Sequence, residues 1–125
     1  MIKENLTEWK HIVRPGSDNC HYRRYLVSGT QQLSYVSDCV ACFSIAREGK
    51  TGSLVNISAN FKSEVYAMDE LEVTLHLESV GNRSRKYSFT IYKTITFSNP
   101  ETNYPELLDE PVLVADGTCV LVIKG

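Results

Sequence analysis

One stretch of this chain repeats its apolar residues at helical spacing, and nearly everything after it alternates at strand spacing. Leu33, Val36, Val40 and Phe43 recur at steps of three, four and three, which draws one apolar stripe down a helix from Thr30 to Phe43. Ser28 or Thr30 supplies the cap. Downstream, Leu71, Val73, Leu75 and Leu77 alternate with Glu72, Thr74, His76 and Glu78, so a long strand runs from Glu70 to about Val80 with one face buried. A chain with one amphipathic helix among alternating strands has few ways to bury both, and laying the helix on an antiparallel sheet is the simplest.

The remaining segments fit that plan. Trp9, His11 and Val13 alternate with Lys10, Ile12 and Arg14, giving a short first strand that Pro15-Gly16-Ser17-Asp18-Asn19 ends. Two short apolar segments are expected at Phe43–Ala46 and Leu54–Phe61, with Glu48-Gly49-Lys50-Thr51-Gly52 as a hairpin turn between them. In the second, Val55, Ile57, Ala59 and Phe61 define the buried face. Gly81-Asn82-Arg83-Ser84 turns the chain into a strand through Tyr87, Phe89 and Ile91 to about Ile95. Phe97 to Pro111, with Pro100, Pro105 and Pro111, reads as irregular. Val112–Ala115 and Thr118–Ile123 read as the last strands, joined at Asp116-Gly117.

Size and charge narrow the classes. The 125 residues suit one domain spanning 1–125, and a hydrophobic fraction of 42% argues against disorder. A formal net charge of -2 gives no general attraction to nucleic acid or anionic membrane. No apolar run approaches the roughly 20 residues that span a bilayer, and Met1 to Lys10 has no signal-peptide core, so a cytoplasmic protein with reduced thiols at Cys20, Cys39, Cys42 and Cys119 is expected. The sequons at Asn5, Asn56 and Asn82 are then chance matches. Cys39-Val40-Ala41-Cys42 lies inside the helix, where neither a redox pair nor a zinc site is expected; both cysteines read as packing residues, and no metal ligand set is evident.

The chemistry-bearing residues gather around the helix. His21 and Tyr22 precede it, Asp38 lies within it, and the unpaired N–H groups of its first turn hold developing negative charge. At about 100° per residue, Asp38 falls opposite the apolar stripe and shares a face with Ser34 and Cys42. For each group a plain structural role competes: an exposed helical acid for Asp38, a loop hydrogen bond for His21, a packing aromatic for Tyr22. Arg83, Arg85 and Lys86 follow a glycine turn and suit phosphate oxygens, or simply a solvated hairpin end. His11 and His76 have no supporting partner in the sequence.

The order of these motifs resembles the hotdog fold, an α+β architecture in which a curved antiparallel sheet wraps one central helix. More narrowly it resembles the hotdog acyl-CoA ammonia lyases, the 3-aminobutyryl-CoA and β-alanyl-CoA ammonia lyases. The match is carried by His21-Tyr22, Leu26-Val27-Ser28-Gly29 and Asp38; by Val65-Tyr66-Ala67-Met68-Asp69 with Val80-Gly81-Asn82-Arg83-Ser84-Arg85-Lys86; and by Glu110-Pro111-Val112-Leu113-Val114 with Gly117-Thr118-Cys119-Val120. The chain departs from the family's pattern at Tyr25 (an asparagine there), Ser28 (an acid or amide), Ser37 (a glycine), Cys42 (a glutamate) and Met68 (a glycine). The resemblance implies an acyl-CoA substrate and elimination of ammonia from a 3-aminoacyl-CoA within amino-acid degradation. It implies Asp38, His21 and Tyr22 as catalytic groups and Ser28, Gly29, Arg83, Ser84, Arg85 and Lys86 as substrate contacts. Coenzyme A enters only as part of the substrate, with no other cofactor, and the partner is a second copy in a homodimer or larger homo-oligomer. An acyl-CoA thioesterase and a catalytically degenerate acyl-CoA binder are the alternatives.

Overall fold

A computed structural model describes residues 2–16, 26–97 and 104–123. The elements are β1 (Glu8–Val13), α1 (Gly29–Glu48), β2 (Gly52–Phe61), β3 (Glu70–Val80), β4 (Ser84–Thr96) and β5 (Glu106–Ile123). The five strands form one antiparallel sheet in the order β1-β3-β4-β5-β2, and the helix lies across it. This is the hotdog arrangement the sequence led us to expect. Among the described residues, no helix is long and apolar enough to cross a membrane.

The core joins one face of each layer. Val36, Cys39, Val40 and Phe43 of α1 meet Leu71, Val73 and Leu75 of β3, Tyr87, Phe89 and Ile91 of β4, and Val114, Cys119 and Leu121 of β5. The alternation read in β3 and β4 is largely the alternation of burial observed there, except that Thr74, expected on the outer face of β3, is buried too. Phe43 links helix to sheet through rings, stacked on Trp9 at 6.1 Å and tilted against Tyr87 at 5.4 Å. Burial pushes the Tyr87 phenol up to about 12 and the Cys39 and Cys119 thiols up to about 12 and about 11. These thiols are packing groups, as expected for Cys39. Cys42 is exposed, which corrects the same expectation for it.

Five details differ from the sequence reading. The helix runs five residues past Phe43, so Phe43–Ala46 is not a strand. Gly49 is no hairpin residue; it is the C-cap, at φ 74°, and its N–H donates to the Ile45 carbonyl at 2.8 Å. In β2 a bulge between Leu54 and Asn56 breaks the alternation. Ile57 and Ala59 pack against the core, while Val55 and Phe61 are exposed. Asp116-Gly117 is not a turn, because β5 continues through it. Gly117 sits where a Cβ would lie 1.9 Å from the Ser58 carbonyl oxygen and 2.8 Å from the Phe89 ring, so glycine here serves a close strand approach. The expected irregular stretch ends early, since β5 begins at Glu106 and pairs with Thr96.

Two buried ionic devices tie the layers. At the end of α1, Glu48 takes a forked contact from Arg85, with Nε to Oε2 at 2.8 Å and Nη2 to Oε1 at 2.7 Å, and Arg47 stands 3.1 Å away. Between β2 and β3, fully buried Asp69 accepts hydrogen bonds from the Tyr66 N–H (2.9 Å), the Thr96 hydroxyl (3.2 Å) and the Phe97 N–H (2.7 Å), and pairs with Lys93 at 3.4 Å. That knot fixes the 62–69 loop, where Met68 holds φ 72°. This is the left-handed region, costly for a side chain bearing a Cβ. Met68→Gly is therefore expected to stabilise the fold by about 1 kcal/mol, read as a raised urea midpoint with an unchanged slope. An unchanged or lowered midpoint would contradict it.

Candidate functional site

The start of α1 is held on both flanks. Leu26 bridges Tyr66, and the Val27 N–H donates to the Val65 carbonyl at 2.8 Å, so the Asp69 knot positions the residues that enter the helix. Ser28 is the N-cap: its hydroxyl oxygen accepts from the Gln31 N–H at 3.1 Å and its carbonyl from the Gln32 N–H at 3.1 Å. The first two helical N–H groups, on Gly29 and Thr30, lie beyond the reach of the helix's own carbonyls. The first turn carries no acidic residue to offset the dipole. Gly29 is covered by the Phe61 ring, which a Cβ would approach to 2.9 Å. The arrangement offers backbone donors to a polarised carbonyl, roofed by one aromatic ring.

Asp38 is exposed, on one face with exposed Ser34 and Cys42, as the helical angle indicates. Its own sheet does not enclose it. Nine residues separate it from Gly29, which at 1.5 Å per residue is about 14 Å along the axis. No base acts across that distance on a carbon next to a carbonyl. One chain therefore places the donors and the acid on the same helix but not in the same site. His21 and Tyr22, like Arg23, Arg24 and Tyr25, lie outside the described residues.

The basic hairpin also divides. Arg83, Ser84 and Lys86 are exposed. Arg85 points inward: its guanidinium is spent on Glu48 and on the Gly81 and Ser84 carbonyls at 3.1 and 2.8 Å. The Glu48 hydrogen bond raises the Arg85 pKa against the opposing effect of burial. The expectation of Arg85 as a phosphate contact is thus corrected to a structural ion pair. The sequence hid this because Glu48 is 37 residues away. The hairpin also sits at the C-terminal end of α1, a helix of 20 residues or about 30 Å from the Ser28–Gly29 end. Exposed His76 and half-buried His11, which meets Trp9 edge-on at 6.2 Å, stay outside the site.

Two groups near the site escaped the sequence reading. Gln32 is 3% exposed, on the core side of the first turn, and its carboxamide oxygen has no hydrogen-bond partner. Tyr66 donates its hydroxyl to the Glu64 carboxylate beside the Leu26 bridge. Neither had a signal in spacing: Gln32 interrupts no stripe, and the Glu64–Tyr66 pair depends on the loop's path.

Comparison with known proteins places this geometry. No family model matches the chain. The 3-aminobutyryl-CoA ammonia lyase of Acetoanaerobium sticklandii is 30% identical over 116 residues, which cover 87% of this chain and 90% of that protein. Among solved structures, β-alanyl-CoA:ammonia lyase from Clostridium propionicum superposes with a TM-score of 0.82 at 22% identity, covering 98% of this chain and 87% of that one. A mutant acyl-CoA hydrolase of Staphylococcus aureus in complex with coenzyme A gives 0.76 at 13% identity, covering 94% and 65%.

Proposed function

The chain belongs to the 3-aminobutyryl-CoA ammonia lyase family, and from that premise we propose that it removes ammonia from a 3-aminoacyl-CoA, such as 3-aminobutyryl-CoA, to give a 2-enoyl-CoA. The single observation that carries the reading is the helix start: N–H donors on Gly29 and Thr30 that have no carbonyl of their own helix to bond, no first-turn acid, and a ring over Gly29. A thioester carbonyl seated there gains acidity at its α-carbon as charge moves onto oxygen. A carboxylate takes the α-proton. The electron pair of that C–H bond becomes the new Cα=Cβ bond, the Cβ–N bond breaks, and the protonated amine leaves as neutral ammonia. His21 and Tyr22 remain in this proposal as carriers of the proton balance at nitrogen.

The roughly 14 Å between Gly29 and Asp38 supports a shared assembly in this proposal. The acid serving one helix start comes from a second copy, so the working unit is a homodimer or larger, with each site shared. The edge strands support this, since β2 ends the sheet with Val55 and Phe61 exposed. The hairpin of Arg83, Ser84 and Lys86, remote from its own helix start, is proposed to hold coenzyme A phosphates in the assembled protein. A cytoplasmic setting and a role in amino-acid degradation belong to the same proposal. Free Cys39, Cys42 and Cys119 support the setting.

Crotonyl-CoA offered with ammonium tests the reading. Loss of the enoyl absorbance without free thiol supports it. Release of free thiol from crotonyl-CoA or saturated acyl-CoAs would replace it with a thioesterase. Binding with neither product would replace it with a degenerate acyl-CoA binder, which exposed Cys42, where the family carries a glutamate, favours.

A further inference from the structure

Among the described residues, the Gln32 carboxamide oxygen is a buried side-chain acceptor at the helix start that the fold leaves without a donor. The side chain is almost fully buried, with 3% exposure, in a protein whose buried polar side chains are otherwise nearly all bonded among the described residues. A buried carbonyl without a donor is costly, and such groups persist where something else supplies the hydrogen. Its position restricts what that can be. The Cα–Cβ bond of a helical residue tilts toward the N-terminus, so Gln32 leans back over the turn that Ser28 and Gly29 open. Three residues, about 4.5 Å of axial rise, separate it from Gly29. An amine that reached this enclosed oxygen would complete its hydrogen bonding, while the backbone N–H groups of Gly29 and Thr30 bonded an acceptor of the same molecule. The complementary molecule has an acceptor and a donor a few ångströms apart. A 3-aminoacyl thioester has both, with its carbonyl oxygen and its ammonium on carbons two bonds apart.

We propose that Gln32 is a specificity-determining residue whose carboxamide oxygen accepts a hydrogen bond from the substrate's ammonium group, while the first-turn N–H groups hold its thioester carbonyl. This rests on the reading of the chain as an acyl-CoA ammonia lyase and names what selects an amine there. It also separates amine-bearing thioesters from those without an amine, which satisfy the backbone donors equally but leave Gln32 unbonded.

The test uses the full-length protein and Gln32→Met, which keeps the side chain's length and removes the acceptor. In the addition direction, the KM for ammonium with crotonyl-CoA is expected to rise at least tenfold, while the KM for crotonyl-CoA stays unchanged and the melting temperature does not fall. A purely structural Gln32 would move stability and both KM values together, or none. An unchanged ammonium KM in the folded variant overturns the inference, as does a crystal structure of the complex with Gln32 bonded to a buried water and not to the amine. The second measurement needs no substitution at Gln32. Asp38→Asn, which blocks turnover on this reading, is titrated with 3-aminobutyryl-CoA and butyryl-CoA. At least fivefold tighter binding of the amine is expected, and equal affinity overturns the inference. If the wild-type protein adds no ammonia to crotonyl-CoA, the lyase reading fails, and the titration, repeated with Gln32→Met added, still reports whether Gln32 selects the amine. If it turns over but Gln32→Met leaves the ammonium KM unchanged, only the inference fails.

Discussion

Arg85→Ala is expected to lower the stability of the fold by about 3–5 kcal/mol, the range for breaking a buried ion pair by removing one partner. The Arg85 and Glu48 side chains are 9% and 1% exposed, so deleting the guanidinium leaves a carboxylate in the interior. It also frees the Gly81 and Ser84 carbonyls that Arg85 holds. Arg47, at 3.1 Å from Glu48, takes up part of the lost interaction, which points to the lower end of the range. For 125 residues that is a fall in Tm of about 10 °C. Glu48→Leu combined with Arg85→Met is expected to cost less than Arg85→Ala alone, because no charge is stranded. Urea unfolding of the three proteins measures this, and a double variant as unstable as the single one would contradict it. The pH dependence follows from the same pair. The Arg85 hydrogen bond, then the Arg85 and Arg47 charges, hold the Glu48 carboxyl below its ordinary 4.5 against burial, which pushes it up. A carboxyl lowered in the folded state contributes stability that is present above its unfolded value and lost as pH falls through its folded value. The wild-type protein should lose this contribution only below about pH 4.5, and Arg85→Ala should flatten the acid side of the stability curve.

Asp38→Asn is expected to reduce turnover of 3-aminobutyryl-CoA by about 10²–10⁴-fold, the usual weight of a positioned general base, with the melting temperature unchanged. The stability expectation comes from position, since Asp38 is exposed and no hydrogen bond or ion pair is recorded for its side chain among the described residues. The activity expectation comes from the carboxylate that elimination requires. The proposed sharing of sites between two copies adds a distinguishing measurement. Asp38→Asn mixed with a chain whose helix start is blocked, Gly29→Val against the Phe61 ring, should regain activity, because the mixed dimer joins an intact start to an intact acid. Full activity in Asp38→Asn alone, or no recovery on mixing, would rule out this role.

Local periodicity made most of this fold legible. The β3 strand, the inner face of β4 and the exposure of Ser34, Asp38 and Cys42 follow from counting residues in twos or in steps of 100°. The errors lie where glycine serves distant geometry. Gly49 looks like hairpin chemistry and caps a helix, and Gly117 looks like a turn and admits the neighbouring Ser58. Met68 is the informative exception: the glycine that the resemblance leads one to expect here suits a positive φ, which this chain keeps with a side chain in place. The site was half legible. Ser28 as cap and Asp38 as the outward acid could be read in advance. The commitment of Arg85 to Glu48 and the unpartnered Gln32 oxygen could not, because both depend on contacts that no spacing rule encodes.

The length of α1 links chemistry to abundance. With donors and acid about 14 Å apart on one rod, a solitary chain on the proposed shared-site reading would hold complementary fragments of two sites and complete neither. Output per molecule would then rise with copy number until association saturates, so dilution alone would silence the protein without any inhibitor.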